Sequence, residues 1–73
     1  MRVFVNERPV DVPPDTTVAA AVAAFDTALG AALTGGSARA TDARGIEVDP
    51  SAVLHAGSIL RVLPQRTGAD AYP

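Results

Sequence analysis

Few residue types in this chain could carry chemistry of their own. The chain has no cysteine, a single histidine at position 55, and six basic residues that are all arginines. Thiolate catalysis and zinc–cysteine sites therefore have no candidate residues, and a lone histidine lacks the companions that metal binding or proton transfer needs. We expect His55 to be a solvent-facing turn residue. The acidic residues are scattered over turns and strand edges: Glu7, Asp11, Asp15, Asp26, Asp42, Glu47, Asp49 and Asp70. The sequence thus predicts no catalytic residue, no metal site and no cofactor, and a protein that is not an enzyme.

Residues 65–73 form a polar stretch that follows the last strand-like run, which stops at Pro64. The stretch contains one glycine, Gly68, and ends in Tyr72 and Pro73. A glycine lets the backbone come close to another molecule because no side chain stands in the way. We expect residues 1–64 to form one folded domain and residues 65–73 a flexible tail. Gly68 is then either a working position or an ordinary tail glycine.

Composition restricts the class of protein. A hydrophobic content of 48% with 19% charged residues is typical of a folded chain, and 73 residues make one small domain. The formal charge of −2 argues against nucleic-acid binding, which needs a basic face. The Ala-rich segment 18–33 is interrupted by Asp26, Thr27 and Gly30 and is shorter than the ~20 apolar residues of a membrane span. The N-terminus shows no signal-peptide pattern, so we expect a cytoplasmic protein.

The first fourteen residues predict a β-hairpin. Val3 and Val5 alternate with polar or outward-facing neighbours, which is the period of a half-buried strand. Residues 6–9 read as a short turn, and residues 10–12 alternate again. The two prolines at 13–14 end the pairing because neither can donate a ladder hydrogen bond.

A helix is predicted next. Residues 15–17 offer capping oxygens ahead of the Ala-rich segment, and Gly30 is expected to weaken or end the helix. Residues 35–37 read as a loop. One apolar stripe at helical spacing is formed by Val18, Val22, Phe25 and Leu29.

The second half returns to strand patterns. We expect a hairpin around a turn at residues 42–45, closed at residues 49–50, and a compact turn at 51–57. A final strand over residues 58–63 follows. The residues predicted to face inward are Ala38, Ala40, Val48, Leu60 and Val62. The whole order is strand, strand, helix, strand, strand, strand, which favours an α+β fold with a mixed sheet of four to five strands packed on one helix. The first and last strands would lie side by side and parallel at its centre.

Three segments carry a resemblance to a known family: residues 1–6, residues 12–18 and residues 54–62. The strongest pieces are Val-Pro-Pro-Asp-Thr-Thr-Val, a strand end with a helix cap, and Leu-His-Ala-Gly-Ser-Ile-Leu, a turn that enters a strand. With them, residues 1–64 resemble the small sulfur carriers of thiamin and molybdopterin biosynthesis and, more broadly, prokaryotic ubiquitin-like modifiers. The resemblance implies the ubiquitin-like β-grasp fold.

The family resemblance also implies a function for the tail. Members end in Gly-Gly, whose carboxylate an adenylating enzyme activates with ATP before it becomes a thiocarboxylate or an amide bond to a target. This chain departs from that pattern because it ends in Tyr72 and Pro73, and Gly35 and Gly36 lie in mid-chain. A processing peptidase that removed residues 69–73 would leave a reactive end made of Arg66, Thr67 and Gly68. The other interpretation is an ordinary tail without covalent chemistry.

The outward side of the sheet is the second candidate site. If the inward residues meet the helix, apolar side chains and arginines come together on the opposite side. The predicted partner-binding residues are Phe4, Ile59, Arg61, Leu63 and Arg39, with Arg2 beside them. These residues predict a surface to which the activating enzyme binds. The alternative is that the protein is a non-covalent interaction module or a self-assembling subunit that uses the same surface.

Overall fold

The computed structural model describes residues 1–64, and residues 65–73 lie outside that description. Residues 1–64 form a five-stranded mixed sheet and two helices. In chain order the elements are β1 (Arg2–Val5), β2 (Arg8–Asp11), α1 (Val18–Phe25), α2 (Thr27–Gly35), β3 (Ala38–Thr41), β4 (Glu47–Val48) and β5 (Ile59–Pro64). The strand order across the sheet is β2-β1-β5-β3-β4. Strands β1 and β5 pair in parallel and the other neighbours are antiparallel. The predicted α+β class and the mixed sheet are confirmed, and the five strands of the described residues fall within the predicted four to five.

The alternation in β1 and β5 places valine and leucine side chains in the core. Val3 and Val5 are completely buried, and Leu60 and Val62 retain 2% and 4% of their exposure. Burial of each such side chain contributes about 1.5–3 kcal/mol, so β1 and β5 supply a large part of the hydrophobic core. The inward residues predicted from period two are therefore confirmed.

The β1–β2 hairpin turns through two residues, Asn6 and Glu7, because Val5 pairs directly with Arg8. Both turn residues have a left-handed backbone, with φ of 51° and 71°. This is the geometry of the turns that match the right-handed twist of a hairpin. The predicted four-residue turn at 6–9 was too long, since Arg8 and Pro9 already belong to β2.

The single predicted helix is wrong, because the Ala-rich segment forms two helices that break at Asp26. The helical pattern continues across the break, but Asp26 takes an extended backbone (φ −157°) and accepts hydrogen bonds at Oδ1 from the N–H groups of Ala28 (2.9 Å) and Leu29 (3.2 Å). An N-cap oxygen satisfies N–H groups that have no partner in the first turn of a helix. Asp26 thus ends α1 and begins α2. The predicted cap of α1 is confirmed at Thr17, whose side chain accepts from Ala20 N–H at 3.2 Å.

Gly30 does not end a helix, contrary to the prediction. It is buried inside α2, where it lies against α1. A Cβ at Gly30 would stand 2.6 Å from the Cα of Ala23, a distance that non-bonded atoms do not tolerate. Glycine at this position therefore allows the two helices to approach each other. The helix ends at Gly36, whose left-handed φ of 87° is the usual C-cap conformation.

The predicted β3–β4 hairpin is present, with Ala40 paired to Val48. Asp42 organises its turn, since Oδ1 accepts from the N–H groups of Arg44 (2.8 Å) and Ile46 (3.0 Å). These hydrogen bonds, that from Ile46 first, hold the pKa of the Asp42 carboxyl below its ordinary value because they favour the charged form. The exposed turn is thus fixed by one side chain.

The compact segment between β4 and β5 packs against the start of α1. Leu54 N–H donates to Thr16 O at 2.8 Å, and Val18 N–H donates to Ala52 O at 2.9 Å. Leu54 is buried, whereas His55 is exposed in the turn, as predicted. Within residues 1–64, neither helix combines the length and the hydrophobicity that a membrane crossing needs.

Candidate partner-binding face and tail

The sheet has one side that the helices do not cover. The residues that alternate with the buried positions of β1 and β5 point to that side, and β3 contributes one more. Pairing brings Phe4 beside Ile59 and Arg39 beside Leu63, while Arg61 lies between the two pairs along β5. We call this set the open face: Phe4, Arg39, Ile59, Arg61 and Leu63. The structure therefore places all five residues predicted for partner binding on the same side of three adjacent strands.

The open face is apolar at its centre. Ile59 and Leu63 retain 44% and 45% of their exposure, although most large aliphatic side chains of the domain are buried. Phe4 is half-buried, and it pairs with Ile59 of β5 on one side and with Pro9 of β2 on the other. A shallow groove of about 320 Å³ runs beside Phe4 and Ile59, and Glu7, Ala43 and Arg61 complete its lining. The groove could receive a single bulky side chain of another molecule.

Two of the arginines around the open face form ion pairs with carboxylates. Arg2 Nε lies 3.3 Å from Asp11 Oδ1, and Arg61 Nη2 lies 3.6 Å from Glu7 Oε2. All four side chains are mostly exposed, so each pair contributes no more than about 1 kcal/mol. The edge of the open face therefore carries both signs of charge. Residue preferences alone did not predict these ion pairs, because the carboxylates come from β2 and the β1–β2 turn.

A second, larger groove of about 460 Å³ lies where the β3–β4 turn meets the segment before β5. Leu54, Leu60 and Val18 form its floor, and the ion pair of Arg44 and Asp42, with 3.1 Å between Nη2 and Oδ2, lies at its rim. The pair satisfies both charges at the rim. The sequence pattern did not predict this groove, because it depends on how two loops meet.

No group of acidic or histidine side chains within residues 1–64 is arranged to hold a metal ion. Every buried side-chain nitrogen or oxygen in that part of the chain has a hydrogen-bond partner. Asp49 is used by its own turn, where its Oδ1 accepts from Ser51 N–H at 2.8 Å and from Ser51 Oγ at 2.7 Å. These hydrogen bonds, that from the Ser51 backbone first, lower the pKa of the Asp49 carboxyl. The carboxylates of Asp42 and Asp49 therefore stabilise the turns in which they lie.

The tail candidates Arg66, Thr67 and Gly68, and the whole predicted tail 65–73, lie outside the described residues. The structure does place the point from which the tail departs. β5 carries Ile59, Arg61 and Leu63 on the open face and extends to Pro64, which pairs with Ala38. The open face and the chain that leads to Gly68 therefore share one strand.

Asn6, which the sequence pattern did not predict as a site residue, lies where β5 meets the β1–β2 turn. Asn6 Oδ1 accepts a hydrogen bond from Val62 N–H at 2.9 Å, although the two residues are 56 positions apart in sequence. An asparagine in a two-residue hairpin turn predicts a left-handed backbone, but it does not predict a hydrogen bond to a distant strand. The long-range bond depends on the pairing of β1 with β5.

The chain matches no known protein-family model, no characterised protein and no solved structure at a significant level.

Proposed function

We propose that this chain is a ubiquitin-like β-grasp domain that acts as a carrier or protein modifier through its C-terminal tail. The fold assignment is supported by the central parallel pair of β1 and β5, with the helices between them in sequence and on one side of the sheet. The resemblance of residues 1–64 to sulfur carriers and ubiquitin-like modifiers supports it as well.

The observation that carries the functional proposal is the arrangement of β5. Its outward residues Ile59 and Leu63 are exposed apolar side chains, and the strand leads directly to the tail. An enzyme that grips the open face would therefore receive the tail close to the point of contact. Exposed apolar residues with a polar edge are typical of surfaces that bind other proteins.

The proposed chemistry needs two enzymes. A processing peptidase hydrolyses the bond between Gly68 and Ala69, and water supplies the new carboxylate at Gly68. An adenylating enzyme then joins that carboxylate to the α-phosphate of ATP and releases pyrophosphate. A sulfur donor or a target amine finally displaces AMP, which gives a thiocarboxylate or an amide. This chain contributes the carboxylate and the docking surface and needs no catalytic residue.

The test is the intact mass of the protein purified from its native cells. The expected species ends at Gly68 as a carboxylate, a thiocarboxylate or an amide-linked conjugate. A chain that remains full length to Pro73, in cells that express both an active peptidase and an adenylating enzyme, would refute the proposal. A Gly68→Ala variant provides the chemical control, since it should lose processing or activation while its fold is unchanged.

The open face is tested by a matched pair of substitutions. Ile59→Glu places a carboxylate at the centre of the face, whereas Ile46→Glu does the same at a similarly exposed isoleucine (53%) in the β3–β4 turn. We expect Ile59→Glu to lower processing or activation by at least about tenfold, as the loss of an interface hot spot does, and Ile46→Glu to leave it unchanged. Ile59 is a better site than Phe4 for this test because Phe4→Glu also changes a half-buried position.

A non-covalent interaction module, or a self-assembling subunit, is the second candidate function. The exposure of Ile59 and Leu63 favours it, because docking through the open face needs no tail chemistry. In that case Gly68→Ala has no effect, and Phe4→Glu or Ile59→Glu abolishes the interaction. Light scattering of the wild-type chain distinguishes self-assembly from binding to another protein.

A further inference from the structure

The β1–β2 turn contacts β5 shortly before that strand ends. Asn6 N–H donates to Leu60 O at 2.9 Å, and Asn6 Oδ1 accepts from Val62 N–H at 2.9 Å. One residue therefore bonds to two successive inward positions of β5, first through its backbone and then through its side chain. Glu7, the other turn residue, reaches Arg61 between them.

The side chain of Asn6 continues the sheet beyond the end of β1. Backbone pairing of β1 with β5 extends to Val5 and Leu60, whereas β3 pairs with β5 as far as Pro64. The bond from Val62 to Asn6 thus supports β5 from the β1 side for one more ladder position. A strand that is bonded on one side only opens more readily than a strand that is bonded on both.

The backbone of the turn also suggests a role beyond turn formation. Glu7 has a φ of 71°, a conformation that glycine adopts freely and that costs free energy for a residue with a Cβ. A two-residue turn of this type commonly has glycine at that position. Glutamate in its place brings a carboxylate 3.6 Å from Arg61 Nη2 on the open face. Strained backbone at such a position is a reason to look for a role beyond turn formation.

We propose that the Asn6–Glu7 turn is a clamp that fixes the end of β5, and that Asn6 is the positioning residue for the chain that leaves the sheet at Pro64. The clamp sets the position and direction in which the strand delivers the tail to a bound enzyme. This role rests on the proposed function, in which the tail is processed and activated.

Two variants at position 6 isolate the side-chain bond. Asn6→Gly keeps the left-handed turn, because glycine adopts positive φ without cost, but removes the acceptor for Val62 N–H. Asn6→Asp keeps an oxygen acceptor and is also tolerated in the left-handed region. Both are made in the full chain. Amide hydrogen exchange, measured by NMR, reports Val62 directly, and Phe4 N–H, which donates to Ser58 O at 2.8 Å elsewhere in the same pairing, is the internal control.

We expect Asn6→Gly to speed exchange at Val62 roughly fivefold, as the loss of one ordinary hydrogen bond would, with Phe4 unchanged. Asn6→Asp should restore protection at Val62. The thermal midpoint of both variants should remain within about 8 °C of the wild type, which is the shift that one hydrogen bond can cause in a domain of this size. Unchanged protection of Val62 in Asn6→Gly would refute the clamp, and so would equal loss of protection in both variants.

The positioning role is read from processing in the native cells. Where the wild-type chain is trimmed after Gly68, Asn6→Gly should accumulate as the full-length chain although it remains folded, and Asn6→Asp should be trimmed like the wild type. Wild-type trimming of Asn6→Gly, together with fast exchange at Val62, would overturn the positioning role. A wild-type chain that is never trimmed would instead refute the proposed function, and the exchange data would still decide whether the clamp exists.

Discussion

Gly30 provides the sharpest test of how the two helices pack. A Cβ built at this position meets three atoms of Ala23: Cα at 2.6 Å, Cβ at 2.7 Å and N at 2.9 Å. Two of these atoms belong to the backbone and cannot move by a change of rotamer. Substitution by alanine must therefore push α1 and α2 apart or distort one of them.

The sign of the effect follows from two opposing terms. Alanine in a helix interior is favoured over glycine by about 1 kcal/mol, which would stabilise the variant. Overpacking of a closely packed site costs about 1–3 kcal/mol, and contact with backbone atoms places this site in the upper part of that range. We expect Gly30→Ala to lower the free energy of unfolding by about 1–2 kcal/mol. For a domain of this size that corresponds to a fall in Tm of about 5–15 °C.

Thermal unfolding followed by circular dichroism, with urea unfolding beside it, measures the effect. Gly35→Ala is the matched control, because it lies in the same helix and its Cβ would meet nothing within 4 Å. We expect the Tm of Gly35→Ala to equal or slightly exceed that of the wild type. The double variant Ala23→Gly/Gly30→Ala should recover little, since the Cα and N of residue 23 remain in place. A Gly30→Ala variant as stable as the wild type would refute the proposed close approach of α1 and α2.

Two further predictions concern side chains that organise helix ends and turns. Asp26→Ala should lower the free energy of unfolding, measured in urea, by about 1 kcal/mol, because the Oδ1 atom that caps α2 is lost. Asp26→Asn keeps an oxygen acceptor and should lose much less. An equal loss in both variants would contradict a capping role. Asp42 and Asp49 have a lowered pKa in the folded chain, so their contribution to stability is present above the ordinary value of 3.8 and is lost as the pH falls through the lowered folded values. The urea concentration at the unfolding midpoint should therefore decrease when the pH is lowered below about 4. The decrease should be smaller in the double variant Asp42→Ala/Asp49→Ala. An identical pH dependence in the variant and the wild type would show that other carboxylates dominate.

The sheet was predictable because its sequence signal is simple. Buried and outward-facing residues alternate along β1 and β5, and a period of two leaves only one way to bury the inward set. That set is Val3, Val5, Leu60 and Val62. The same alternation predicted that Phe4, Ile59 and Leu63 share the outer side.

The helix break was not predicted because alanine carries little periodic information. An alanine fits a buried or an exposed position, so the stripe from Val18 to Leu29 continues through residue 26 without interruption. The available signal was Asp26 itself, since aspartate is among the best N-cap residues and a poor helix former. The pattern predicts that Gly30 weakens or ends the helix, whereas in the structure Gly30 lets α2 contact α1.

The contacts around the open face could not be predicted from the sequence for a different reason. The pairing of Arg61 with Glu7, and the bond of Val62 to Asn6, depend on a two-residue turn that ends beside β5. A turn shifted by one residue would point these side chains elsewhere. Such contacts follow from register, which single-residue preferences do not determine.

The position of the open face on β5 restricts how an activating enzyme could act on this chain. Gly68 follows Leu63 by five residues, and a chain of five residues spans at most about 18 Å. An enzyme that contacts Leu63 must therefore hold its catalytic centre within that distance of the contact. It must also accept the chain along the direction in which β5 leaves at Pro64, between Ala38 of β3 and the end of the β1–β2 turn. If a protein that contacts Leu63 has its catalytic centre farther away, that protein is a partner of the domain and not the enzyme that activates the tail.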